Sequence, residues 1–512
     1  MMRKPLPFFF VPTLLTALLA GCGSSSTGIG TCNCPAAPQG IVSISMTDDP
    51  PAGVSILFFQ VTLSKATLTP TSGSAVSLLY NDTPRQVDVT QLQALSAFLS
   101  SAAVTAGTYN SLNLTFSNPQ LVIYNQSDSS LGSTCAVGSI CQLTPAFDSN
   151  SSTVTITSSP FPVTVSTTSP LAFVIDFHLN TVIQSDLSVN LSVANGVTVS
   201  ELPPAPTPRQ YGFATGTVTD MVPSSGQIEM TSLWGGGLNL LATSSTTYSN
   251  FPSSACTTPS IQCVAQGQVI QVQISGYASS GLLTVSQVTY VQAANTQTVQ
   301  GTIIQVIPST TNIAGAPPMG FVMLLHSNPT SAVGFPLGGT AEVSLPGNAT
   351  YSIDADGFTM PSGLNFTSAS NLIVGQNVTV TVSPGTLSTT GAGPGPNAWG
   401  PPPSMSFTAS AVELEPSQMT GSITATNSST TSFTLGVAGS FFAPWPLPSA
   451  TSSYNVATTN QTTYAGFTQD NFGGLATDDF VSVSGWLFPP GITGGSPTIA
   501  AQSVVLRPSQ SF

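Results

Sequence analysis

The sequence predicts an all-β protein: a larger β domain with one short helix, followed by three small β repeats. Three observations lead there. Apolar and polar residues alternate over short runs, as in Leu112-Asn113-Leu114-Thr115-Phe116, which is the period of a half-buried strand. Helical spacing is convincing only once, from Thr90 to Ser100, where Leu92, Leu95 and Leu99 share a face behind Thr90 as N-cap. The third observation is a pattern that recurs three times, in order, through the C-terminal half.

The chain opens with Arg3 and Lys4, then an apolar run from Pro5 to Ala20 that closes on Leu19-Ala20-Gly21-Cys22. The run is shorter than the roughly 20 residues a bilayer-spanning helix needs, and three prolines interrupt it. It reads as a cleaved signal, residues 1–22, and its end resembles the lipobox of bacterial lipoproteins. That resemblance implies a diacylglycerol on the Cys22 thiol, hence a lipid anchor in the cell envelope. Gly23 and Ser24 follow the cysteine, without the Asp that favours inner-membrane retention, so the expected destination is the outer membrane. Residues 23–40 are mostly Gly, Ser, Thr and Pro, a flexible tether with a reach of about 20–25 Å.

Folded structure is expected over 41–202. Ile41-Val42-Ser43-Ile44-Ser45-Met46 opens a strand that ends in the turn-like Thr47-Asp48-Asp49-Pro50. Gln86-Val87-Asp88-Val89-Thr90-Gln91-Leu92 leads a strand into the short helix. Ala106-Gly107-Thr108-Tyr109 turns into the next strand, and Phe173-Val174-Ile175-Asp176-Phe177 forms a late one. These four features, in this order, resemble a bacterial extracytoplasmic family catalogued as domain of unknown function 4382. The resemblance implies a β-rich, sandwich-like envelope module and brings no activity with it.

Residues 203–210 are proline-rich and read as a stiff linker. Beyond it lie repeats at 211–293, 298–416 and 419–508. Each begins with glycine and a short strand: Gly216-Thr217-Val218, Gly301-Thr302-Ile303 and Gly421-Ser422-Ile423. Each then reaches a Thr-Tyr strand (Thr247-Tyr248, Thr350-Tyr351, Thr463-Tyr464), an alternating strand and a last strand. The repeats are similar to domain of unknown function family 5666, small barrel-like β-modules. The linker and the repetition predict a stalk that folds separately from the first domain. An outer-membrane barrel is the competing architecture, but counting back by twos from Phe512 meets Pro508, which a closed barrel strand does not accommodate.

Charged residues make up 5% of the chain, and its net charge is −13. Past the signal only Lys65, Arg85, Arg209 and Arg507 are fixed cations. Nucleic acid is thereby excluded as a partner, because phosphate binding runs on Lys and Arg. Six cysteines remain besides Cys22. In an exported chain the close pairs Cys135/Cys141 and Cys256/Cys263 are disulfide candidates, each closing a short loop. Cys32 and Cys34 in the tether are too close for an unstrained bridge.

Chemistry is sparse. His178 and His326 are the two histidines, each within an apolar strand; Asp176 stands on the same strand face as His178, a pairing that more often stabilises a sheet surface. Asp48, Asp49 and Asp88 offer hard oxygens for Ca²⁺, and Asp354-Ala355-Asp356-Gly357 resembles half a calcium loop; the competing reading is that these aspartates cap turns. Trp234, Trp399, Trp445 and Trp486 fall in or beside loops, where they stack on sugars or seal a sandwich end. The expectation is a non-enzymatic, lipid-anchored binding or structural protein of the envelope, in contact with polysaccharide or an envelope protein and without a cofactor. The alternative is a carbohydrate-active hydrolase using Asp carboxylates of the first domain.

Overall fold

The computed structural model describes residues 39–507, except 50–54, 80–81, 93–96, 126–129, 131–134, 137–139, 149–151, 185–186, 203–211, 233–236, 253–255, 279–281, 293–296, 310–315, 328–337, 356, 389–404, 438–451 and 491–494. The signal, Cys22, the linker, Cys32, Cys34, Asp356, Trp234, Trp399 and Trp445 lie outside the described residues.

The first domain is a two-sheet sandwich. Its strands are β1 (Gln39–Asp49), β2 (Ser55–Pro70), β3 (Val76–Ser77), β4 (Arg85–Asp88), β5 (Ala97–Thr105) and β6 (Gly107–Tyr124). Five more follow: β7 (Ile140–Leu143), β8 (Thr153–Ile156), β9 (Val163–Val165), β10 (Leu171–His178) and β11 (Val197–Glu201). One sheet runs β11-β10-β1-β5, with β1 and β10 parallel. In the other, β3-β2-β6-β7 pair in that order, with β4 on β2 and with β8 and β9 on β6. Alternation decides which side chains face the other sheet. Ile44, Phe173, Ile175 and Phe177 meet Phe59, Val61, Leu114 and Phe116 in a single buried cluster.

The expected helix from Thr90 to Ser100 is corrected. Val89–Leu92 makes one 3-10 turn, and the chain is already in strand β5 at Ala97. Local leucine spacing loses to the sheet, where Phe98 and Leu99 are buried on opposite faces of β5. The Thr90 hydroxyl bonds to Asp88 instead of capping a helix.

Three five-stranded barrels follow, built alike. Barrel 1 comprises Phe213–Val222, Gln227–Ser232, Gly237–Ser249, Val269–Tyr277 and Leu283–Gln292. Barrel 2 runs from Thr298–Ile307 to Met405–Glu415, and barrel 3 from Ser417–Asn427 to Thr498–Leu506. In each, the order is first, second, third, fifth, fourth; the fourth strand pairs back with the first, and the third runs parallel to the fifth. Closure in this Greek-key manner leaves no free sheet edge. In barrel 1 the register between third and fifth strands jumps from Ala242 to Thr247; in barrels 2 and 3 the third strand breaks outright at the same place.

The opening glycines explain themselves. A Cβ on Gly216, Gly301 or Gly421 would sit 2.2, 2.0 or 2.3 Å from a carbonyl oxygen of the second strand. Only glycine permits that approach. The Thr-Tyr strands are anchored alike in barrels 1 and 3, where Thr246 and Thr462 donate to carbonyls of the fifth strand at 2.7 Å and accept backbone N–H bonds at 2.8 Å. A 3-10 turn precedes each fourth strand. Beside it Gln268, Gln376 or Asp479 accepts from the N–H three residues before it.

The barrels do not form a stalk detached from the first domain. Phe213 of barrel 1 pairs with Ala97, extending the first sheet into the barrel, and Phe98 and Ala172 join barrel 1's buried cluster. On the other sheet, Phe58, Val122, Tyr124 and Ile140 pack against Leu324 of barrel 2. The domain is gripped between two barrels because barrel 2 presents apolar side chains outward where barrel 1 presents Gln227, Glu229 and Thr231. Barrel 3 is joined to barrel 2 through Trp486 and Phe488, both buried in barrel 2's cluster. Among the described residues no helix is long and apolar enough to cross a membrane.

Candidate functional site

A buried contact between aspartate and histidine lies between the first domain and barrel 2. Strand β4 ends at Asp88, whose side chain is 1% exposed, and His326, 6% exposed, is the penultimate residue of the second strand of barrel 2, Gly320–Ser327. His326 Nδ1 is 2.8 Å from Asp88 Oδ2. The other carboxylate oxygen accepts from the backbone N–H and hydroxyl of Thr90. On the far side of the ring, Nε2 is 2.7 Å from Thr302 Oγ1, and the Thr302 hydroxyl donates to Asn377 Oδ1. Asn377 is oriented by its own amide, which donates to the carbonyl of Pro416. The single hydroxyl proton of Thr302 is thus spent on Asn377, so Nε2 donates to Thr302 while Nδ1 donates to Asp88. Phe58 packs near the imidazole, with ring centroids 6.0 Å apart.

Carboxylate, imidazole and hydroxyl in line are the parts of a nucleophilic triad. Here they are sealed. Both oxygens of Asp88 are bonded, the Thr302 hydroxyl is committed, and apolar side chains of two domains close over the ring. The arrangement holds two domains in register rather than facing a substrate. Three residues earlier on β4, Arg85 is also buried; its guanidinium donates to the carbonyls of Leu99 at 2.8 Å and Thr83 at 3.0 Å, and burial lowers its pKa.

The remaining candidates are scattered. Asp48 and Asp49 end β1 in register with Phe177 and His178 of β10, and their side chains lie outside the described residues. Asp88 stands on the other sheet, engaged as above. No group of three or more His, Cys, Asp or Glu side chains among the described residues is arranged to hold a metal ion. His178 and Asp176 do share a face, both flanking Thr198 of β11, with His178 Nε2 3.4 Å from its hydroxyl. Asp354 serves as a junction between barrels: its side chain accepts from Asn250 of barrel 1, and its carbonyl accepts from Trp486 Nε1 of barrel 3 at 2.9 Å. Trp486 is fully buried in a strand, sealing one barrel against the next. Disulfides join Cys135 to Cys141 and Cys256 to Cys263, closing the two short loops.

Sequence reasoning missed the Asp88–His326 pair. The two residues are 238 positions apart, and no local motif connects them. The available signal was the run Phe321-Val322-Met323-Leu324-Leu325-His326, apolar without alternation, which marks a strand buried on both faces; a histidine inside it needs a buried partner.

The first domain also has a counterpart among known families. Residues 39–192 match the family model described as Domain of unknown function (DUF4382). The match stops before β11, whose strand completes the first sheet of the domain. No curated protein matches the chain.

Proposed function

We propose that this protein is a lipid-anchored, non-enzymatic component of the bacterial cell envelope, delivered to the outer membrane, which binds or braces polysaccharide or an envelope protein. One observation carries the reading. The best-formed Asp–His–hydroxyl chain among the described residues is spent on joining two domains, so the chemistry-bearing side chains serve assembly. The composition fits the same role, since a hydroxyl-rich surface suits uncharged polymers while the net charge of −13 repels nucleic acid. The lipobox-like Leu19-Ala20-Gly21-Cys22 supplies the anchor, and the three barrels belong with the family 5666 modules they resemble.

Two measurements test this. Cys22→Ala should release the protein from the membrane fraction; persistence of the variant in membranes after carbonate extraction would refute the anchor. A chain beginning at Gly23, applied to a glycan array and to a pull-down from envelope extract, should retain polysaccharide or an envelope protein. Hydrolysis of any arrayed glycan, abolished by replacing first-domain aspartates, would replace this reading with the hydrolase.

A further inference from the structure

The sandwich is covered by barrel 1 on one sheet and by barrel 2 on the other, yet one end stays open. There β8, at the edge of one sheet, faces β11, at the edge of the other, and the loop 191–196 closes one side of the gap. The result is a cleft of about 330 Å³, within the range of small-ligand sites. Hydroxyls of Thr153, Ser158, Ser192 and Thr198 and the amide of Asn195 line it. Its floor is apolar, formed by Val154, Leu191 and Val197, all buried.

We propose that this cleft takes an uncharged, hydroxyl-rich ligand: a short segment of glycan. The proposal rests on the envelope-binding reading above and names its ligand class. Three features select that class. No charged side chain lines the cleft, so neither a phosphate nor a metal ion finds a counter-charge there. Both strands bordering it are sheet edges, so each has a side along which no further strand is paired. A sugar matches such a lining, because its hydroxyls both donate and accept while its C–H faces lie on an apolar floor. Asn195 is held at a φ of 61°, a left-handed conformation that asparagine tolerates, and this turns the loop beside the cleft. Behind Thr198 stand His178 and Asp176 of β10, adjoining the cleft's β11 side. An added peptide strand suits the gap less well, since β8 has four residues and β11 five, near the short end for strand pairing.

The test uses the chain from Gly23 with tetramers of β-1,4-glucose, α-1,4-glucose and β-1,4-N-acetylglucosamine as probes, followed by NMR shift titration. At least one tetramer should bind. Ser192→Trp, which fills the cleft from an exposed position, and Thr153→Arg, on the opposite wall, should each weaken that binding by about tenfold or more. Ser244→Trp, exposed on barrel 1, should leave it unchanged. Binding that survives both cleft variants overturns the site while leaving the envelope-binding reading intact. No binding to any tetramer overturns the ligand class; if the pull-down still retains an envelope protein, only the present proposal falls. Binding of an alternating extended peptide, blocked by Ser192→Trp, also overturns it in favour of strand addition.

Discussion

Asp88 and His326 show how much rests on one pair of side chains. Removing one partner leaves the other buried and unmatched, so Asp88→Ala should cost about 3–5 kcal/mol in a denaturant titration. Replacing both, Asp88→Ala with His326→Leu, should cost less than the sum of the single changes. An additive result would mean that the pair is not coupled in solution. Glu413 offers a different reading of burial. It stands on the last strand of barrel 2, where desolvation raises its pKa above the ordinary carboxylate value, opposed by a hydrogen bond from Ser352. The folded state therefore holds the proton more tightly than the unfolded chain does. Its contribution to stability is greatest below the unfolded value and is lost as pH rises through the folded one. Glu413→Gln should raise the melting temperature at pH 7 relative to the parent and have less effect near pH 4; the opposite trend would contradict the burial of that carboxylate.

At the scale of elements, strands were legible because their signal is local. Alternation in Leu112 to Phe116 and the recurring glycine and Thr-Tyr positions need no knowledge of the rest of the chain. The helix expected at Thr90 to Ser100 failed for the complementary reason: Leu92 and Leu99 satisfy a helical face locally, but β5 is chosen by its neighbours β1 and Phe213. That the repeats are barrel-like came from their resemblance to a family, not from the strands themselves, since alternating strands do not state which edge returns to which. The glycines give the sharpest check at this level. Gly301→Ala should destabilise by about 1–3 kcal/mol, because its methyl group meets the Leu324 carbonyl. Gly347→Ala, where a Cβ meets nothing within 4 Å, should change little. Equal effects of the two substitutions in thermal melts would remove the close approach from the account of the repeat.

The whole molecule departs most from a sequence-level picture. A proline-rich linker and three ordered repeats read as a stalk hanging from a separate domain. The contacts instead place Phe98 and Ala172 in one barrel's cluster and Leu324 against the domain's other sheet. Linkers announce themselves in composition; interfaces between distant segments do not. A chain of residues 210–512 should therefore self-associate or bind a hydrophobic dye, since Leu324 and Ile304 lose their cover, and Leu324→Ser should reduce that association. A monomeric, dye-silent 210–512 chain would show that the grip is dispensable to the barrels.

The grip on both sheets also separates connectivity from cohesion. Residues 203–211 are the only covalent route from the first domain to the barrels, but the pairing of Phe213 with Ala97, the packing around Leu324 and the buried histidine contact all bypass it. A protease that cuts this segment would therefore divide the chain on a denaturing gel and leave a single particle in native chromatography. Such a protein can be nicked between its domains and still keep the first domain and the barrels together.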